Sequence, residues 1–107
     1  MDQLSGVFSA LADPTRREIL YALRRGEATV AELAAPFAVS QPAVSKHLKV
    51  LEQAGLITRS RRGTARLSRL EAAPLRSATE WLIDYRAYWG ESFGRLDDLL
   101  DELKGQP

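Results

Sequence analysis

The chain has 107 residues, 45% of them hydrophobic and 27% charged, with a formal net charge of +1; this describes one ordinary globular domain with a modest core. Cysteine is absent, which excludes disulfides, thiolate metal sites, thiol redox sensing and cysteine nucleophiles, and mildly favours the cytoplasm. No apolar run approaches the roughly 20 residues that span a membrane, and Met1-Asp2-Gln3-Leu4 lacks the basic start of a secretory signal.

In chain order, Leu4, Val7, Phe8 and Leu11 recur at helical spacing and predict a first helix over 4–11. Asp13-Pro14 starts a second, with Asp13 as cap and Pro14 where its missing N–H costs nothing. Ile19, Leu20 and Leu23 share its inner face, and Gly26 stops it. Thr29 opens a short third helix with Glu32 three residues on, a capping-box pattern. Val30, Leu33, Ala34 and Phe37 point inward, Ala38-Val39 turns the chain, and Ser40 caps a fourth helix over 41–53 that Gly55 ends.

That fourth helix has two unlike faces. Val44, Leu48 and Leu51 recur at i, i+4 and i+7 and form a stripe that must be buried. Pro42, Ser45, Lys46 and Lys49 lie opposite, with Gln41 at the start, and this small, polar, cationic face carries no acid. Small residues let a helix sit deep in a groove, Ser and Gln can bond base edges, and Lys can meet phosphate or guanine. The helix reads as the recognition helix of a DNA-binding protein.

From 56 to 70 the period changes. Residues 57–61 and 65–70 flank Arg62-Gly63-Thr64, which predicts a two-stranded hairpin with glycine in the turn. Arg59, Arg61, Arg62, Arg66 and Arg69 decorate it. Arginines on an edge strand guard against aggregation; beside a recognition-type helix, phosphate or minor-groove contact is the favoured reading. A single helical pattern then runs over 72–104. Leu75, Leu82, Trp89, Leu96 and Leu103 lie seven apart, with Ala78, Tyr85 and Leu99 in the complementary register. Such a repeat is a helix-packing seam, widened by Trp81, Tyr88 and Phe93, and is read as core or dimer interface rather than a ligand site. Gly90 and Gly94 weaken this helix by about 1 kcal/mol each relative to alanine and mark a candidate kink.

Two short helices joined by a turn, followed at once by a hairpin, make a winged helix-turn-helix: mainly α with a small β-hairpin wing, in the order α-α-α-α-β-β-α. The expected organisation is one domain over 1–107, with the helix-turn-helix at 29–54, the wing at 56–70 and a C-terminal dimerisation helix at 72–104. The runs 11–20 (LADPTRREIL), 29–34 (TVAELA), 40–48 (SQPAVSKHL) and 51–57 (LEQAGLI) resemble the ArsR family of bacterial transcriptional regulators over nearly the whole chain. The resemblance implies a homodimer paired through the first and last helices, repressing transcription at a near-palindromic operator and released by an effector. The expected interface residues are Leu4, Val7, Phe8, Leu82, Tyr85, Trp89, Leu96, Leu99 and Leu103. The expected DNA-binding residues are Ser40, Gln41, Pro42, Ser45, Lys46, Lys49, Arg59, Arg61, Arg62 and Arg66.

The chain departs from the metal-sensing members. They carry Cys-x-Cys in the third helix, where this chain has Ala34, Ala35 and Pro36, and other members bind zinc through Asp and His pairs on the last helix, which here has no histidine. Carboxylates alone suit hard ions rather than borderline metals, so neither metal nor other cofactor is expected. The tail resembles a branch without metal sites, whose members act as small autorepressors or repress a neighbouring gene. The one histidine, His47, sits at the border of the buried stripe and is expected to bond the protein framework or a phosphate.

Charge is segregated. Residues 1–70 carry 11 Lys+Arg against 6 Asp+Glu, a balance of +5, and residues 71–107 carry 4 against 8, a balance of −4. A basic body with an acidic tail suits a nucleic-acid binder. The alternative is a winged helix used for protein–protein contact without specific DNA binding, and salt-dependent DNA affinity discriminates the two. No nucleophile–base pair or Gly-rich phosphate loop supports an enzyme. Expected partners are an operator duplex, a second copy of the chain and a chemically unidentified small effector, for which the aromatic seam is an alternative seat.

Overall fold

The computed structural model describes residues 2–89, 98, 101 and 102. The elements are α1 (Gln3–Leu11), α2 (Pro14–Leu23), β1 (Ala28–Thr29), α3 (Val30–Ala34), α4 (Gln41–Gln53), β2 (Ile57–Arg62), β3 (Ala65–Leu70), α5 (Ala73–Ile83) and a 3₁₀ turn (Arg86–Tyr88). Mainly helical, with a small antiparallel sheet behind α4, this is the winged helix-turn-helix. Among the described residues no helix is long and apolar enough to cross a membrane.

Side-chain caps set the helix starts. Asp2, Asp13, Thr29 and Ser40 each accept a hydrogen bond from the backbone N–H three residues on, which satisfies a donor the helix itself leaves free. Thr29 and Glu32 complete a reciprocal capping box. The end of α4 is a Schellman motif: Gly55 N–H donates to the Glu52 carbonyl and Leu56 N–H to the Leu51 carbonyl, both at 3.0 Å. Gly55 adopts φ +79°, a left-handed conformation that only glycine enters freely.

Helices α1 and α2 are joined by their own side chains. Asp13 caps α2 through the Arg16 N–H at 3.0 Å. Arg16 then turns back, donating from Nε to the Ala10 carbonyl at 2.6 Å and from Nη2 to the Ser9 carbonyl at 3.1 Å, while Arg17 donates to the Leu11 carbonyl at 2.7 Å. The last carbonyls of α1 are thus satisfied by cations, as the dipole of a helix C-terminus favours.

The core gathers Ile19, Leu20 and Leu23 of α2, Leu33 and Ala34 of α3, Val44, Leu48 and Leu51 of α4, Leu56 and Ile57, with Val7 and Ala10 of α1 and Ala78 of α5 closing it. The α4 stripe is completely buried; truncating such a leucine to alanine costs roughly 2–5 kcal/mol.

Three expectations change. The sheet has three strands, not two, in the order β1-β3-β2, with Ala28 opposite Ser68 and Thr29 opposite Leu67; a two-residue strand is too short to show a period of its own. The helix expected over 72–104 stops at Ile83, where Asp84 is its C-cap. The Tyr85, Tyr88 and Trp89 N–H groups then bond three residues back rather than four, tightening the chain into 3₁₀ geometry where Asp, Tyr and Trp offer weak helix propensity. Val7, expected at the dimer interface, is 1% exposed and belongs to the core. The remaining seam residues Leu96, Leu99 and Leu103, and the candidate kink at Gly90 and Gly94, lie outside the described residues.

The caps predict an acid-sensitive fold. The backbone N–H bonds to Asp2, Asp13 and Glu32 hold each carboxyl below its ordinary value. Their stabilisation is therefore present above the usual carboxylate range and is lost as pH falls through the lowered values. In a pH series of thermal unfolding, Asp13→Ala is expected to lower Tm at pH 7 by several degrees and to flatten the acid limb; a parallel downward shift at every pH would contradict this.

Candidate nucleic-acid interface

Burial of Val44, Leu48 and Leu51 leaves one rotation for α4. Gln41, Pro42, Lys46 and Lys49 are exposed and Ser45 is half-buried at the edge of the same face. No acidic residue occurs in α4 before Glu52 near its end. The Ser40 hydroxyl oxygen accepts from the Ala43 N–H at 3.3 Å, so Ser40 starts the helix and keeps its hydroxyl proton and one lone pair to offer a ligand. Helix α3 packs on α4 through its inner face of Val30, Leu33 and Ala34, with Phe37 half-buried in the connection over 35–40. His47 is turned inward: Nδ1 lies 3.5 Å from Arg16 Nη1 and 3.9 Å from the Asp13 carboxylate. Its contact is with the start of α2.

The hairpin register sorts the wing arginines. Cross-strand partners share a face, and the pairs Ile57–Leu70, Arg59–Ser68 and Arg61–Arg66 alternate with Thr58–Arg69, Ser60–Leu67 and Arg62–Ala65. The first set includes buried Ile57 and Ser68, so Arg59, Arg61 and Arg66 line the side of the sheet that faces the core and α4. The second set carries Arg62 and Arg69. The turn at Gly63-Thr64 has Gly63 at φ +63°, the two-residue form with glycine at its first central position.

The two faces differ in electrostatics. Arg62 Nη2 pairs with Glu27 Oε1 at 2.8 Å and Arg69 Nη2 with Glu71 Oε1 at 3.2 Å. Among the described residues no carboxylate lies within ion-pair distance of Arg59, Arg61 or Arg66. Arg59 Nε is buried without a hydrogen-bond partner. Burial, then the Arg66 charge, holds the Arg59 guanidinium below the ordinary arginine value, and Glu52 offsets this only in part. Arg61 stands directly opposite Arg66, where like charges repel. This face gathers three cations with no carboxylate among the described residues to neutralise them. The sequence reading put Arg59, Arg61, Arg62 and Arg66 in one group; the structure separates Arg62 from the other three. It also brings in Glu27, which sequence reasoning missed because nothing along the chain links it to position 62.

A third surface is apolar. Phe8 of α1 meets Trp81 of α5 edge-on at 5.7 Å, Trp81 meets Tyr85 at 5.0 Å, and Tyr85 meets Tyr88 at 6.2 Å. Trp81, Leu82, Tyr85, Tyr88 and Trp89 are all at least 41% exposed, and a contiguous patch of this kind marks an association surface. Of the expected interface residues, Leu4 and Phe8 are half-buried and Leu82, Tyr85 and Trp89 are exposed. Among the described residues no group of three or more His, Asp or Glu could hold a metal ion.

Residues 13–59 match the family described as "Bacterial regulatory protein, arsR family". The chain is 35% identical over 82 residues to the transcriptional repressor SdpR of Bacillus subtilis, covering 77% of this chain and 91% of that protein. Among solved structures it resembles the ArsR family transcriptional regulator RHA00566, with a TM-score of 0.74 and 44% identity over 81% of this chain and 90% of the other. It also resembles the homodimeric winged helix-turn-helix DNA-binding domain Mb0332 of Mycobacterium bovis, with a TM-score of 0.65 and 29% identity over 78% and 81% of the two chains.

The repulsion on the wing is testable without DNA. Arg66→Thr removes the charge opposite Arg61 and beside Arg59, and is expected to stabilise the free protein by roughly 0.2–1 kcal/mol at low ionic strength, with the gain shrinking as salt screens the wild type. Thermal unfolding in low and high salt checks this, and an unchanged or lower Tm at low salt would remove the idea of an unneutralised cluster.

Proposed function

The chain belongs to the arsR family of bacterial regulatory proteins, and we propose that it acts as a homodimeric DNA-binding transcriptional repressor whose α4 reads operator bases while one face of its wing holds the backbone. The observation that carries this is the pairing of a fully buried stripe on α4 with an outer face of Gln41, Pro42, Ser45 and Lys46 free of acid. In a helix-turn-helix the second helix enters the major groove with its N-terminal residues at base edges, and these four side chains stand in that first half of α4. Ser40 places the helix start. Lys49 and the arginines Arg59, Arg61 and Arg66 neutralise phosphates, which relieves the charge crowded on that side of the sheet.

Two copies pair through the aromatic strip of α5 and the exposed edge of α1, with Leu4, Phe8, Leu82, Tyr85 and Trp89 as the described contacts. The dimer presents two α4 helices to half-sites about 10 bp apart or a multiple of that. A bacterial DNA target implies work in the cytoplasm, and the relatives are regulators. With no cysteine and one histidine in the chain, thiolate or imidazole metal sensing has no ligand set. The seat proposed for a small effector is the groove of about 510 Å³ between α1 and α5, lined by Leu4, Val7, Pro74, Trp81 and Ile83 together with the polar Gln3, Ser77, Glu80 and Asp84.

Fluorescence anisotropy across a salt series, on DNA from upstream of the protein's own gene and on scrambled DNA, tests the reading. The expected result is tight, salt-dependent binding that prefers the upstream DNA. Ser45→Ala with Lys46→Ala is expected to abolish that preference, losing about 1–3 kcal/mol of discrimination per base contact, while the dimer persists. A double variant that still discriminates would move base reading elsewhere. Absence of binding at low salt would favour a protein partner instead. For the interface, Leu82→Glu is expected to shift the dimer toward monomer in analytical ultracentrifugation and to weaken DNA binding; a variant that stays fully dimeric would place the contact on another face.

A further inference from the structure

The two faces of the wing differ in one respect that its role in DNA binding does not require. Arg59, Arg61 and Arg66 stand without counter-charge, while both arginines of the opposite face are held by carboxylates of the chain itself. For Arg69 the carboxylate is a neighbour, Glu71, which also accepts from Thr58 Oγ1 at 3.3 Å. For Arg62 it is distant in sequence. Glu27 leaves the turn after α2, beside Gly26 at φ +134°, and meets Arg62 at 2.8 Å next to the hairpin turn. The Arg62 side chain is otherwise 75% exposed. It is a cation at the tip of the wing, free to meet any phosphate but for this one partner.

We propose that Glu27 is a specificity-determining residue of this repressor: it occupies the Arg62 guanidinium and so withholds one cation per wing from non-specific DNA. The inference rests on the DNA-binding reading above. Non-specific affinity comes from phosphate neutralisation and counter-ion release, and every accessible cation adds to it. Operator affinity also draws on base contacts from α4, which fix the register and bring the Arg59–Arg61–Arg66 side of the sheet to the backbone. Arg62 projects from the opposite face. Freeing it therefore adds more to binding in arbitrary registers than to binding in the operator register. A carboxylate at 2.8 Å acts as an internal substitute for phosphate, and an exposed pair of this kind contributes little to folding. Its effect falls on the ratio of operator to random-sequence affinity rather than on stability.

The test is Glu27→Gln in the full chain, with anisotropy titrations of a random-sequence duplex and of upstream DNA between about 50 and 200 mM salt. The expected result is tighter binding of the random duplex, with the slope of log K against log salt steeper by about 0.9 for each arginine released, a factor of about three to four over that salt range. Upstream DNA should gain less, so the ratio falls. Arg62→Ala alone should leave random-duplex affinity near the wild-type value, since that arginine is already occupied, and Glu27→Gln with Arg62→Ala should cancel the gain. An unchanged or shallower slope in Glu27→Gln, or a gain that survives Arg62→Ala, overturns the proposal. A large loss of random-duplex affinity in Arg62→Ala alone overturns it too, by showing Arg62 already on the phosphates. Wild-type protein that binds neither DNA at low salt would instead sink the repressor reading, and this inference with it.

Discussion

Everything the molecule presents to its surroundings depends on the burial of one stripe on α4. Val44, Leu48 and Leu51 are wholly enclosed by α1, α2, α3 and the start of β2. A helix so anchored has a single rotation, and that rotation exposes Gln41, Pro42, Lys46 and Lys49. Both ends are pinned as well, by the Ser40 cap and by the Schellman motif at Gly55. Side chains that must enter a groove together gain from such rigidity, because the ordering is done during folding rather than on binding. The Gly55 turn also allows no larger residue without adjustment: a Cβ there would lie 3.2 Å from Gln3 Nε2.

The joint at residues 13–17 is the second fixed point. Asp13 begins α2, Arg16 and Arg17 close α1, and the same Arg16 and Asp13 lie against His47 on α4. One short segment therefore links the helix beside the exposed aromatic patch to the helix that carries the acid-free polar face. A residue such as Arg16, with several donors in a planar fork, can satisfy two carbonyls and still face a histidine. Lysine, with a single point of charge, would reproduce less of that arrangement.

The wing distributes charge rather than simply accumulating it. Its core-side face concentrates arginines without neutralising them, at an electrostatic cost in the free protein. Its outer face neutralises its arginines internally. The placement follows from strand geometry, since alternate residues of a strand point to opposite sides. The run of arginines in positions 59–69 thus resolves into two populations with different partners.

How much of this was legible along the chain varies with the range of the interaction. Local signals carried the helices: the caps at Asp13, Thr29 and Ser40, the glycine after α4 and the i, i+4, i+7 stripe all act within one or two turns, and α4 lies over 41–53 as its pattern predicts. The family resemblance rests on the same short segments. Long-range pairing decided the rest. Nothing near residue 28 announces a strand, because β1 exists only through its partners Ser68 and Leu67. The heptad spacing beyond Ala73 shows which residues seek a partner but not where the helix stops, since helix continuation competes with packing and with weak propensity in the same residues. Val7 fits an outer face and an inner face equally well by spacing, and the packing of α1 against α2, α4 and α5 decided for the core. Glu27 and Arg62 meet solely because the sheet folds back beside the turn after α2. By itself the sequence determined the identity of the elements and the chemistry of the α4 face, because those depend on neighbours along the helix. Which arginines are free and which are held was left to the tertiary structure, because charge pairing across a fold depends on distances that no spacing in the chain encodes.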